Sequence, residues 1–87
     1  AALVVDIDLT ILGQPGRRFD EYEQDIRQEY SWVPPEVFAL KRAEILRRFL
    51  ERERIYGTDF FGRKYEQSAR KNLAASLKKL AEAQPPQ

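Results

Sequence analysis

The sequence contains no histidine and no cysteine. Without cysteine there is no disulfide framework, no thiol nucleophile and no thiolate zinc site. Without histidine the chain lacks the usual ligand of zinc, iron and copper and the commonest general base near neutral pH. Chemistry performed by these residues alone has to rest on carboxylates, Lys, Arg, Tyr or Ser. Charge of one sign is also missing: 15 Lys and Arg stand against 14 Asp and Glu, a formal net charge of +1. No global field therefore draws the chain to nucleic acid or to an anionic membrane. No run approaches the roughly 20 apolar residues that a membrane span requires, and the apolar start has neither the basic leader nor the small-residue cleavage site of a secretory signal. The expected compartment is the cytoplasm.

What is present is one small domain. The 87 residues are 43% hydrophobic and 33% charged, a globular composition without repeats or low-complexity segments. A chain of this size buries about 60–65% of its unfolded surface and is modest in stability. It also opens directly on an apolar element, Ala1-Ala2-Leu3-Val4-Val5, with no polar lead-in. That start is the expectation of a fragment or a truncated form.

The organising stretch is Leu3-Val4-Val5-Asp6-Ile7-Asp8-Leu9-Thr10-Ile11-Leu12-Gly13, an apolar run with two carboxylates set into it. Carboxylates in a buried run are costly unless paired or bound to a cation. As a β-strand the run would put both acids on one face and resemble the Asp-x-Asp-x-Thr motif of haloacid dehalogenase-like phosphatases. As a helix it would point them about 200° apart, giving each a different task. A third possibility is structural, the acids capping or ion-pairing a neighbouring helix. One candidate strand followed by three helices leaves that strand without a partner, so helix is the expectation over 1–12, despite the β-branched residues.

Gly13-Gln14-Pro15-Gly16 is a turn signal. Beyond it, 17–30 has helical periodicity in Phe19, Tyr22, Ile26 and Tyr30. Pro35 suits the first turn of a helix over 36–52, with Phe38, Ile45 and Phe49 on one line, Val37, Leu46 and Leu50 beside it, and a Glu44–Arg48 pair on the polar face. So wide a stripe predicts neighbours on more than one side. Period is lost near 53–59, where Gly57 breaks the chain and Thr58 or Asp59 is the candidate N-cap. The longest helix, 60–83, carries Phe61, Tyr65, Ala69, Leu73, Leu77 and Leu80, with Ala69 small enough for close approach of another helix. The expected architecture is all-α: a single domain over 1–83, a small bundle of about four helices with the first packed between the others and the last spanning the domain, then a disordered tail at 84–87.

Asp6-x-Asp8-Leu9-x-Ile11-Leu12-Gly13, Tyr22, Arg27-x-Glu29-Tyr30, Val33, Phe38, Arg42, Leu46, Ile55-Tyr56, Glu66 and Ala69-Arg70-x-Asn72-Leu73 follow one another over nearly the whole chain. In this order they resemble the C-terminal part of the predicted metal-dependent phosphohydrolases of the HD superfamily. The resemblance implies an all-helical fold and a divalent metal held by a His, a His-Asp pair and a later Asp, the metal activating water for attack on phosphorus. That later Asp maps to Asp8, with Asp6 as the fallback. The His ligands would lie upstream of Ala1, so this chain is expected to hold no cofactor, to contain no catalytic residue of its own and to be inactive alone.

The alternative function is a non-enzymatic helical interaction module. The expected partners are a second copy of the chain, as a dimer or larger assembly, or a missing N-terminal segment, because Val4, Ile11 and Leu12 would otherwise stand bare. No membrane partner is expected. Nor is nucleic acid, although Arg63, Lys64, Arg70, Lys71, Lys78 and Lys79 make one side of the last helix basic. Arg27, Glu29 and Tyr30 are expected as an ion pair with a core Tyr, and Arg42, Arg47, Arg48 and Arg52 as a solvated face. Arg70 and Asn72 are expected to tie the last helix to a loop or helix end, and Trp32 to seal a corner of the core.

Overall fold

The computed structural model describes residues 2–82, with side chains from Val5 onward. The expected tail at 84–87 and the Val4 side chain lie outside the described residues. Within them the chain is all-α and has no strand: α1 is Ala2–Asp8, a 3-10 segment follows at Leu9–Gly13, α2 is Gly16–Glu29, α3 is Pro35–Glu51 and α4 is Asp59–Glu82. None of these helices is long and apolar enough to cross a membrane.

The local reasons for the helix ends are visible. Thr10 donates its hydroxyl to the Ile7 carbonyl at 2.8 Å, and the Gln14 side-chain amide donates to the Thr10 carbonyl at 3.1 Å, so side chains take up backbone groups where α1 tightens into the 3-10 segment. Pro35 occupies the start of α3, where its missing N–H costs nothing. Thr58 accepts from the Phe61 amide at 3.4 Å and is the N-cap of α4.

α4 is the spine, its 24 residues running about 36 Å at the helical rise of about 1.5 Å per residue, in a molecule 42 Å long and 24 by 23 Å across. The 3-10 segment and α3 pack against it, and α2 lies against the 3-10 segment. The core is Leu12, Phe19, Leu46, Ile55, Tyr56, Ala69 and Leu73. Ala69 is fully buried, as its size predicts.

Four expectations are corrected. The first helix does not pass between the others; α1 packs on the 3-10 segment, and it is that segment which enters the bundle. Leu12 is accordingly buried and Ile11 half-buried, while Val5 and Ile7 are exposed. Trp32 is 78% exposed and seals nothing; it leans on Tyr30, itself 45% exposed, with ring centroids 6.2 Å apart. Glu29 makes no ion pair among the described residues, because Arg27 turns instead to the Tyr30 and Val33 carbonyls at the end of α2, with Phe38 under its guanidinium. On α3 the buried face is Ala39, Ala43 and Leu46, and Val37, Leu40 and Ile45 look outward.

Candidate functional site

The helical turn of α1 sends its two acids to different sides. Asp6 is buried and Asp8 is exposed. The Asp6 carboxylate accepts from the Gly57 amide at 2.7 Å, the Thr58 amide at 2.8 Å and the Thr58 hydroxyl at 2.5 Å. Thr58 in turn caps α4, so Asp6 joins the start of the chain to the start of its longest helix. Burial by itself pushes this carboxyl up, but the Thr58 hydroxyl, the two amides and the nearby Arg54 outweigh it and hold the group below its ordinary value of 3.8.

A carboxyl with a depressed folded value contributes stability in full above pH 3.8, and loses that contribution as pH falls toward and through the lower folded value. Asp6→Asn places an amide N–H against the donors of Gly57 or Thr58. It is expected to lower Tm at neutral pH and to flatten the fall in Tm below about pH 4. Thermal melts of both proteins against pH check this; parallel acid limbs would refute the role. The Tyr56 phenol is pushed up to about 12 by burial, with the charges of Glu66, Tyr65 and Asp6 adding. Its contribution is therefore intact below its ordinary value of 10 and is lost as pH climbs toward 12 in the same melts.

Around Asp6, polar residues of α4 and of the loop before it complete the attachment of Leu9 to Gln14 and of that loop. Asn72 donates to the Leu12 carbonyl at 2.9 Å and the Gln14 carbonyl at 2.7 Å, and the Tyr56 hydroxyl donates to the Leu9 carbonyl at 2.9 Å. Glu66 accepts from the Ile55 amide at 3.1 Å and the Tyr56 amide at 3.4 Å. Arg70 pairs with Glu66 at 2.8 Å and reaches the Leu50, Arg52 and Glu53 carbonyls. Arg70 and Asn72 thus tie α4 to a loop and a helix end, as expected of them. Arg42 is not part of a solvated face: its Nε and Nη2 donate to the two carboxylate oxygens of Glu23, at 2.9 and 3.1 Å, where both side chains are largely buried.

Asp8 is different. Among the described residues it makes no hydrogen bond and no ion pair, and it stands beside Val5 and Ile7, which are about half exposed. No three His, Cys, Asp or Glu side chains come together in a metal-holding group among the described residues. One free carboxylate does not meet the ligand demand of a divalent ion, so these residues by themselves do not fit a metal centre. No family model, curated protein or solved structure matches the chain.

Proposed function

We propose that this helical unit lends one carboxylate, Asp8, to a divalent-metal phosphohydrolase centre whose nitrogen ligands come from outside residues 1–87, in line with its resemblance to the C-terminal part of HD-superfamily enzymes. The reading is carried by the contrast between the two acids: Asp6 is consumed by the fold, whereas Asp8 is exposed. In the same reading the bare Val5 and Ile7 side chains are the seat of the segment that brings those ligands.

The experiment begins with the coding sequence ahead of the Ala1 codon, which is expected to read into a segment with a His and a His-Asp pair. The product of that longer frame is expected to bind manganese and hydrolyse a phosphate ester, and Asp8→Ala to abolish both without lowering Tm. Residues 1–87 alone are expected to do neither. Micromolar manganese binding with hydrolysis by these residues alone would overturn the proposal, as would an Asp8→Ala enzyme that keeps its metal.

A further inference from the structure

A second feature of the molecule lies apart from α1, the 3-10 segment and α4. Between the end of α2 and the outer side of α3 runs a groove of about 700 Å³, to which none of those three elements contributes. Its apolar lining includes Trp32, Tyr30, Val37 and Ile45, and Leu40 stands exposed on the same helix. Trp32, 78% exposed, and the roughly half-exposed Tyr30, Val37 and Ile45 leave this lining open to solvent.

We infer that this face is the contact of a two-fold homodimer, with Trp32 of each copy seated in the groove of the other. Self-complementarity is what an isologous contact demands, because each patch must meet itself. The face has it in its apolar residues: Trp32, 78% exposed, belongs to the lining of the same groove that it would fill on the partner. It also has it in charge, since Glu29 on the α2 side and Lys41 on the α3 side both line the groove, so that a two-fold operation can set opposite signs against each other. The chain's net charge of +1 puts no repulsion between copies and offers no field to a strongly acidic or basic partner.

Trp32 is the only tryptophan in the sequence, so its fluorescence reports on this face alone. Sedimentation of the 87-residue chain over a concentration series is expected to show monomer passing to dimer, with Trp32 emission moving to shorter wavelength over the same range. Ile45→Glu, at an exposed position, is expected to raise Kd at least about thirtyfold with helical circular dichroism unchanged. Val37→Glu serves the same purpose should Ile45→Glu lower Tm. Glu29→Lys is expected to weaken the dimer several-fold and Lys41→Glu in the same chain to restore it. Ile7→Lys, on the exposed side of α1, leaves the dimer as it was. A monomer at every concentration with unshifted emission would overturn the inference. So would a dimer that survives Ile45→Glu and Val37→Glu, or one that Ile7→Lys alone abolishes.

Discussion

Gly13→Ala is expected to destabilise the protein by about 2 kcal/mol, a fall in Tm of roughly 10–15 °C for a domain of this size. Gly13 ends the 3-10 segment and is buried against α4. A β-carbon placed on it would lie 2.7 Å from Cβ, 2.8 Å from Cδ1 and 3.0 Å from Cγ of Tyr65. Cβ of Tyr65 is fixed by the α4 backbone and cannot swing aside, so the segment itself has to move off the helix. Such a shift pulls at the Asn72 bonds to the Leu12 and Gln14 carbonyls and loosens Leu12 in the core. Ala would regain up to about 1 kcal/mol through lower backbone entropy in the unfolded chain, which is why the net figure stays below the upper range for overpacking. Gly16→Ala is the control: a β-carbon there would meet nothing within 4 Å, and the Tm of that variant is expected to hold or rise slightly. Melts of the two variants side by side check the argument. Equal Tm values would refute it.

The contrast between these glycines shows where sequence reading reaches and where it stops. Gly13-Gln14-Pro15-Gly16 was legible as a turn, and the helix starts after it, at Pro35 and after Thr58, fall within a residue of those expected, because turn, N1 and cap preferences are local. That Gly13 is needed for close approach to Tyr65 was not legible, since neither glycine has positive φ and the constraint comes from a residue 52 positions away. Ile55 and Tyr56 were missed as core for a related reason: they lie in a stretch without helical period, and what lets it be buried is the Glu66 carboxylate on its amides. Ala39 and Ala43 were hidden by their size on an α3 stripe dominated by the bulkier Val37 and Ile45. At the candidate site, the divergence of Asp6 and Asp8 followed from helical geometry alone. Which of them the fold would engage did not, because the partners of Asp6 sit 51 and 52 residues further on.

Arg70→Ala is expected to cost about 3 kcal/mol, more than any other single polar truncation on α4. The Arg70 guanidinium donates to the Leu50, Arg52 and Glu53 carbonyls at 3.0, 2.7 and 3.1 Å, holding the end of α3 and the start of the following loop at once. Leu50 lies in the last turn of α3, whose carbonyls lack intrahelical partners, and Arg52 and Glu53 follow it into the loop. The same side chain pairs with Glu66 at 2.8 Å, and Glu66 in turn receives the Ile55 and Tyr56 amides. Removing Arg70 therefore leaves a half-buried carboxylate facing only amide donors, and it loosens the loop that carries two core residues and the Gly57 and Thr58 donors of Asp6. Arg70→Lys keeps the charge but not the planar fork, and is expected to recover less than half of the loss. Arg48→Ala, which breaks only the exposed pair with Glu44, is expected to cost no more than about 0.5 kcal/mol. Chemical denaturation of the three variants gives the comparison. An Arg70→Ala protein as stable as Arg48→Ala would show that the loop is held by its apolar residues alone. Hydrogen exchange would locate the effect: the Ile55 to Thr58 amides are expected to lose protection first, because they are the groups whose acceptors depend on Arg70 either directly through Glu66 or through the placement of the loop.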